Sequence, residues 1–137
     1  PDSQVIELHG NTTYAKCLDC HQRYELSDLQ QEFEETGNVS GCAQCGGLLK
    51  TATMSFGQSM PERQMQQSQQ ALEQCDLCIV MGSSLTVYPA AGFPEYAKRL
   101  GATLAILNRE ATPLDDIADI VVREQIGPTM ALLVGLN

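Results

Sequence analysis

The sequence is poor in aromatic and basic residues. It contains three phenylalanines, four tyrosines and no tryptophan among 137 residues. Lysine and arginine number 8 against 17 aspartates and glutamates, which gives a net charge of −9. Because nucleic-acid-binding domains normally present a basic face, this balance argues against direct binding of DNA or RNA.

Long apolar segments are also absent. No run of about 18 apolar residues occurs, so the sequence predicts no membrane-spanning helix. No basic segment followed by an apolar stretch marks a secretory leader, and we expect an intracellular protein, cytoplasmic rather than nuclear. With 43% hydrophobic and 18% charged residues, the composition is that of one globular domain, or of one compact body with a small satellite.

Cysteine, in contrast, is abundant. The six cysteines form three C-x2-C pairs, which are Cys17 and Cys20, Cys42 and Cys45, and Cys75 and Cys78. In a chain without a leader, such pairs indicate metal binding or redox chemistry before disulfides.

The first two pairs have the spacing of a zinc site. A C-x2-C turn lets two thiolates share one metal ion, and two turns complete a closed tetrahedral site. Gly46 and Gly47 follow the second turn and permit a tight backbone there. His21 could replace one cysteine, but we expect it to be an exposed neighbour. Free thiols or disulfides are the alternatives to a structural zinc bound by Cys17, Cys20, Cys42 and Cys45.

The third pair lies where a predicted helix ends and an apolar strand begins. Free cysteine often behaves as a small buried hydrophobic residue. We therefore predict core packing for Cys75 and Cys78, with thioredoxin-like redox chemistry or a second metal site as the alternative.

Residues 14–50 have few large apolar side chains and need another source of stability. Ser27 and Gln30 have the spacing of a capping box at a helix start, and Gly37 is placed to end that helix. Its apolar stripe is thin, consisting of Leu26, Leu29 and Phe33. Zinc binding would supply the missing folding free energy.

The rest of the chain alternates apolar strands with helices. Strands are predicted over 5–8, 52–56, 77–81, 103–107 and 117–122. One helix begins at Pro61, with Met65, Ser68, Leu72 and Cys75 on its apolar face. A second spans 89–100, with Ala90, Phe93, Ala97 and Leu100 inward, and a last one begins at Pro128. This alternation predicts an α/β fold with a parallel sheet covered by helices on both faces.

Three short segments lie where ligands bind in such folds, at the carboxyl ends of parallel strands. They are Gly82-Ser83-Ser84, Asn108-Arg109-Glu110, and the start of the last helix near Thr129. Serine and asparagine also serve as helix caps, so each segment alone says little. Together they suggest a nucleotide site, although the chain has no Gly-x-Gly phosphate loop.

An ordered set of motifs resembles the sirtuins, the NAD-dependent protein lysine deacylases. It comprises VIELHGN at 5–11, the two cysteine turns, MSFGQ at 54–58, GSSLTVYPAA at 82–91 and ILN at 106–108. The resemblance implies half of a doubly wound, Rossmann-like sheet with a zinc ribbon. On that basis residues 1–13 carry the catalytic-histidine loop, 14–51 the ribbon and 52–137 the C-terminal part of the NAD-binding domain.

The resemblance also implies residue roles. His9 corresponds to the catalytic histidine, the general base acting on the cofactor ribose hydroxyls, a task that suits a side chain titrating near neutral pH. Phe56, Gly57 and Val87 match the segments between which an acylated lysine peptide lies as an added strand. In the family the acyl group passes from lysine to ADP-ribose and nicotinamide is released. The implied NAD contacts are Gly82, Ser83, Ser84, Asn108, Arg109, Glu110 and Thr129.

Parts of the family pattern have no counterpart here. The family's first half carries a Gly-Ala-Gly phosphate loop and an Asn-Ile-Asp segment that holds nicotinamide, and the chain contains neither. Gln58 stands where an acid is common, and Thr51 where proline is common. The sequence therefore resembles the C-terminal half of a sirtuin, and we expect the 137-residue chain alone to lack deacylase activity.

Half a sheet should expose an apolar strand edge. We therefore expect the missing N-terminal half of the fold, or a dimer contact, as a partner. The alternative function is a zinc-stabilised module that binds a peptide or protein without catalysis. The missing phosphate loop favours that alternative, whereas His9 favours the enzyme.

Overall fold

The chain forms two compact units that divide between Glu62 and Arg63. The computed structural model describes residues 4–136. The first unit contains the predicted ribbon of residues 14–51 together with the segments that flank it. The second unit contains the predicted alternation of parallel strands and helices.

The first unit is a three-stranded antiparallel sheet with one helix. Its strands are β1 (Gly10–Cys17), β2 (Arg23–Glu25) and β3 (Leu49–Thr53), in the order β2-β1-β3. Helix α1 (Leu26–Thr36) follows β2 directly and contacts β1 and β2. The two cysteine turns connect these elements, so the metal ligands lie at the ends of the sheet.

Two predicted strands of this unit are wrong. No strand forms at the predicted residues 5–8, where Val5 is 67% exposed, and strand pairing begins only at Gly10. At that position φ is +77° and a Cβ would lie 1.9 Å from the carbonyl oxygen of Ala52, so only glycine fits. The strand predicted at 52–56 begins earlier, at Leu49, because Leu49 pairs with Cys17.

The predicted capping box is also wrong. Helix α1 begins at Leu26, and its N-cap residue makes no side-chain cap. The Ser27 hydroxyl donates to Asp28 at 3.2 Å, and the Gln30 amide donates to Glu34 at 3.0 Å. The predicted end at Gly37 is confirmed, since Gly37 has φ +73° and its N–H donates to the Phe33 carbonyl at 2.8 Å.

The second unit is built on a parallel three-stranded sheet, as predicted. Strands β4 (Leu77–Met81), β5 (Thr103–Leu107) and β6 (Ile120–Val122) lie in the order β4-β5-β6. The first two have the predicted bounds. The third is shorter than predicted, because Asp115–Ile117 forms a 3₁₀ turn. The helices are α2 (Glu62–Glu73), α3 (Gly92–Arg99) and α4 (Ile126–Leu133).

Alternate residues of β4 and β5 build the aliphatic core of this unit. Its buried members are Val80, Leu85, Leu104, Ile106 and Leu114. The intervening residues of β4 point away from this core, and Leu77, Ile79 and Met81 are 48%, 53% and 46% exposed. Within residues 4–136, β4 pairs only with β5, so β4 is the predicted exposed apolar edge.

The helix predictions are correct in part. The face of α2 with Met65, Ser68 and Leu72 is the less exposed one, as predicted. Helix α3 begins at Gly92 rather than at 89, because residues 88–91 form a turn. Its buried side consists of Ala91, Pro94 and Ala97, small residues that allow close approach to the sheet, whereas Leu100 is 52% exposed.

The last helix begins earlier than predicted. Helix α4 starts at Ile126, and Pro128 lies in its first turn, where a missing N–H breaks no helical hydrogen bond. Its leucines are largely exposed, with Leu132 at 74% and Leu133 at 72%. No helix within residues 4–136 combines the length and the apolar character that a membrane span requires.

Candidate functional site

The structure brings the four predicted metal ligands of the first unit together. All four sulfur atoms lie within 4.8 Å of one another. The Sγ atoms of Cys17 and Cys45 are 3.5 Å apart, and so are those of Cys20 and Cys42. Cys17 and Cys42 are buried. The cluster is therefore a compact four-thiol centre.

Local backbone bonds shape the two cysteine turns. The His21 N–H donates to the Cys17 carbonyl at 3.1 Å, and the Gly46 N–H donates to the Cys42 carbonyl at 2.7 Å. A Cβ on Gly47 would lie 3.0 Å from the Cys17 sulfur and 2.1 Å from a carboxylate oxygen of Asp19. Gly47 thus leaves room for the thiolates, as its position after the second pair predicts.

These residues fit a zinc ion. Tetrahedral zinc with Zn–S bonds of about 2.3 Å needs sulfur atoms about 3.8 Å apart, which agrees with the observed cluster. Four protein ligands leave no open coordination position, so the site suits a structural rather than a catalytic metal. His21 is exposed and is not a member of the cluster, in agreement with the prediction.

The thiols of the cluster differ in acidity. A hydrogen bond from the Tyr24 hydroxyl, supported by the Cys45 and Gln44 amides, lowers the pKa of Cys42 to about 6. Against the lowering effect of the Gly47 amide, hydrogen bonds with neighbouring thiols raise the pKa of Cys45 to about 12. Metal binding requires all four as thiolates.

The third cysteine pair lies in the second unit, and both of its thiols are partly buried. Cys78 packs against the aliphatic core, and burial, followed by the charge of Cys75, raises the pKa of Cys78. The Cys75 thiol donates to the Leu72 carbonyl at 3.3 Å at the end of α2. The contact with the core confirms the predicted core packing for Cys78, and its raised pKa lowers the thiolate fraction.

A cavity of about 430 Å³ opens at the carboxyl ends of the three parallel strands. Gly82 follows β4, Asn108 follows β5 and Glu124 lies just after β6. This edge is where open parallel sheets bind ligands. The cavity is lined by Gly82, Asn108, Arg109, Glu124, Gln125, Ile126 and Gly127.

Gly82 and the start of α4 shape one side of this cavity. Gly82 has φ +63°, and a Cβ there would lie 2.6 Å from the Cδ1 atom of Ile126. Glycine therefore keeps the space between the end of β4 and the first turn of α4 open. The free N–H groups of that turn carry a partial positive charge, which favours an anionic ligand such as a phosphate.

Hydrogen bonds fix the loop that follows β5, whose first residues, Asn108 and Arg109, line the other side of the cavity. The Glu110 carbonyl accepts from the Asn108 side-chain amide at 2.9 Å and from the Arg123 guanidinium at 2.6 Å. Arg123 also pairs with Asp115. The Thr112 hydroxyl and amide, with Arg123, hold the pKa of Asp115 down at about 2. The Asp115 carboxylate thus connects Thr112, in the loop after β5, with Arg123, which follows β6.

Three of the seven predicted cofactor contacts line the cavity, namely Gly82, Asn108 and Arg109. The other four lie outside its lining as the described residues define it. The Ser83 hydroxyl accepts from the Leu85 N–H at 3.2 Å, and Ser84 bonds Thr86 at 2.9 Å. Glu110 contributes its carbonyl to the loop bonds, and Thr129 lies within α4. A ligand role for these four stays a prediction.

The prediction missed the residues from Glu124 to Gly127. Their position in the sequence could have indicated them, because they follow β6 just as Gly82 follows β4 and Asn108 follows β5. They were missed because the last helix was predicted to begin only at Pro128.

The predicted catalytic histidine and one predicted substrate segment are neighbours in the first unit. His9 is exposed and directly precedes β1, and its carbonyl accepts from the Met54 N–H at 3.0 Å. Phe56, two residues further on, is 97% exposed. In the second unit, Val87 is 46% exposed in the turn before α3. Their roles stay predictions.

Comparison with known proteins identifies relatives of the whole chain. The family model described as the Sir2 family matches residues 2–89. NAD-dependent protein deacetylase 1 of Bradyrhizobium diazoefficiens is 54% identical over 131 residues, covering 96% of this chain and 51% of the relative. The NAD-dependent protein deacetylase of Rhodopseudomonas palustris is 51% identical over 134 residues, covering 98% and 53%. The chain thus spans about half the length of these curated relatives.

Solved structures agree with these matches. A structure of Sir2Tm bound to a propionylated peptide has a TM-score of 0.87 at 32% identity, covering 97% of this chain and 57% of that one. A complex described as Sir2, p53 peptide and NAD⁺ has a TM-score of 0.86 at 32% identity, covering 97% and 56%. Sequence and fold agree, and the chain belongs to the Sir2 family, the sirtuins.

Proposed function

We propose that the chain supplies the C-terminal half of an NAD-dependent protein lysine deacylase. The observation that carries this proposal is the cavity at the carboxyl ends of β4, β5 and β6. The proposed function is also supported by the deacetylase relatives at 51% and 54% identity and by the similar structure described with NAD⁺ and a peptide. When bound, NAD supplies the ADP-ribosyl group that receives the acyl group.

The cavity residues suit the adenosine and phosphate portion of NAD. The bond from Asn108 to the Glu110 carbonyl uses the amide nitrogen, so the Asn108 Oδ1 atom is the end that can accept from a ribose hydroxyl. Arg109 and the first turn of α4 offer positive charge to phosphate oxygens. Gly82 keeps the backbone of β4 close to the ligand because it has no side chain.

His9 is the proposed general base. A neutral imidazole can accept the proton of a ribose hydroxyl at physiological pH, which makes the ribose oxygen a better nucleophile. The exposed side chain of His9 is accessible for this task, and its backbone is held by Met54. The four-cysteine centre takes no part in this step because its ligand set is closed.

The proposed substrate is an acylated lysine in a protein or peptide. The support is the similarity to structures described with propionylated and acetylated peptides. Phe56, Gly57 and Val87 are the proposed contacts. Phe56 has nearly its whole ring exposed, so it is free to contact a peptide.

A hybrid protein tests this proposal. The N-terminal half of the Bradyrhizobium relative would be joined to this chain, and nicotinamide release would be measured with NAD and an acetylated peptide. We expect turnover by the hybrid and none by the chain alone. His9→Ala should lower kcat by about 10²-fold to 10⁴-fold, the usual contribution of a general base.

The matched control is the only other histidine of the sequence, His21. It has φ +62° beside the metal site, so His21→Asn is the suitable change, because asparagine tolerates that conformation. His21→Asn should retain turnover. Equal activity of the His9→Ala and His21→Asn hybrids would contradict the role of His9. A folded, zinc-loaded hybrid without turnover would favour the non-catalytic binding module.

A further inference from the structure

A tyrosine hydroxyl meets one sulfur of the four-cysteine centre. The Tyr24 oxygen lies 3.1 Å from the Sγ atom of Cys42 and 2.9 Å from the backbone nitrogen of Ala43. Tyr24 is in β2, which follows the first cysteine turn, whereas Cys42 and Ala43 belong to the second. The phenol therefore links the two halves of the centre.

The second contact determines which way the phenol proton points. A backbone N–H can only donate, so the Tyr24 oxygen must be the acceptor from Ala43. Its own hydrogen is then available for the remaining neighbour, the Cys42 sulfur. The hydroxyl is thus oriented as a donor to the Cys42 sulfur.

The strand places this side chain by alternation. Arg23 and Glu25 are exposed and pair with each other at 3.0 Å, while Tyr24 between them is half-buried. Tyr24 pairs in register with Ala15, which is 2% exposed. Successive side chains of a strand point to opposite faces, so the pairing of β2 with β1 directs the ring toward the centre.

We infer that Tyr24 is a positioning residue of the metal centre, which holds the Cys42 thiolate and thereby slows loss of the ion. Four thiolates around a divalent metal carry a net negative charge, and donors from the protein compensate it. The Asp19 N–H, 3.4 Å from the Cys17 sulfur, is a weaker donor of this kind. Hydrogen bonds to a charged group are stronger than neutral ones, so the phenol should contribute measurably.

The inference rests on the fit of zinc to the four cysteines and not on deacylase activity. It is therefore tested on the purified 137-residue chain by metal release. Tyr24→Phe removes only the hydroxyl. Tyr14→Phe is the matched control, because the Tyr14 ring lies on the neighbouring strand and contacts Lys16 and Arg23 instead.

Zinc transfer to a chromogenic chelator is the first measurement. We expect Tyr24→Phe to lower the affinity for zinc about 10-fold to 100-fold, which is the usual effect of removing a partner of a metal ligand. The zinc affinity of Tyr14→Phe should stay within about twofold of that of the unsubstituted chain. Retention in Tyr24→Phe equal to that in Tyr14→Phe would overturn the inference.

Cobalt(II) substitution separates this role from a loss of folding. The sulfur-to-cobalt charge-transfer band reports the charge on the thiolates and is read only from the loaded, folded centre. In Tyr24→Phe we expect it to move to longer wavelength, because a thiolate without its donor is more easily oxidised. Faster release with an unmoved band would show a packing role alone and would overturn the inference, as would failure of Tyr24→Phe to fold in excess metal.

Discussion

The two units of this chain differ in the interactions available to stabilise each of them. In the first unit the buried apolar residues are Ala15, Cys17 and Cys42, and α1 has no buried residue at all. The second unit buries Val80, Leu85, Leu104, Ile106 and Leu114 in one cluster. We therefore expect the first unit to depend on metal bound at its four cysteines, whereas the second unit depends on its aliphatic core.

Each unit draws its folding free energy from a different source. Burial of a large aliphatic side chain contributes about 1.5–3 kcal/mol, and the first unit has too few such side chains to offset its conformational entropy. Binding of a structural zinc contributes about 10–16 kcal/mol in small domains. The two units should therefore respond to different perturbations.

Loss of one metal ligand should have the largest effect. Cys17 is fully buried, and Cys17→Ser should abolish zinc binding and unfold the first unit while the second stays folded. Zinc analysis would measure the loss of the metal, and amide hydrogen exchange would show which unit stays folded. Cys75→Ser is the control and should retain one zinc. Strong amide protection of β1 in the Cys17→Ser chain would contradict a metal-dependent fold.

A cavity in the aliphatic core should have an intermediate effect, confined to the other unit. Leu104 is 0% exposed, and Leu104→Ala should destabilise the second unit by about 2–5 kcal/mol. Denaturant unfolding with residue-level exchange would measure this, and zinc content should not change. Ile79→Ala is the control, since Ile79 is 53% exposed. Equal losses for the two variants would show that the core lies elsewhere.

Acid should destabilise the two units at different pH values, and this effect should be smaller than the two above. Protons compete with zinc for thiolates, so the first unit should be lost at the higher pH. In the second unit the pKa of Asp115 falls from 3.8 to about 2 on folding. A lowered folded pKa stabilises the folded state above the unfolded value, and this contribution is lost as the pH falls toward 2.

Asp115→Asn tests that dependence. The stability of the second unit should then change less between about pH 4 and pH 2 than in the unsubstituted chain, as measured by denaturant unfolding at each pH. Asp116→Asn, at the adjacent exposed position, should leave the dependence as it was. An identical pH profile in all three chains would exclude a role for Asp115.

The elements that could be predicted are those set by neighbouring residues. The C-x2-C spacing places two sulfurs in one turn, and the apolar runs at 77–81 and 103–107 mark the strands β4 and β5. Gly37 ends α1 because glycine readily adopts the positive φ that terminates a helix, and this preference depends on the residue itself. In each case the deciding interactions span only a few residues, so the sequence pattern is sufficient.

The errors arose where a partner distant in sequence decides. Strand β1 starts at Gly10 because β3 approaches there, and the apolar residues before it have no strand to pair with in the described part of the chain. The buried side of α3 is set by its approach to the sheet, which buries Ala91 and leaves Leu100, predicted to point inward, 52% exposed. Neither partner is visible in the local pattern.

The amino-acid pattern was enough to identify the four clustered cysteines, the parallel strands and the family. The three-dimensional arrangement was needed to show that residues after β6 join Gly82 and Asn108 around one cavity, and that Tyr24 reaches the sulfur of Cys42. Spacing along the chain encodes turns and strands, whereas contacts between separate elements depend on how those elements pair and pack.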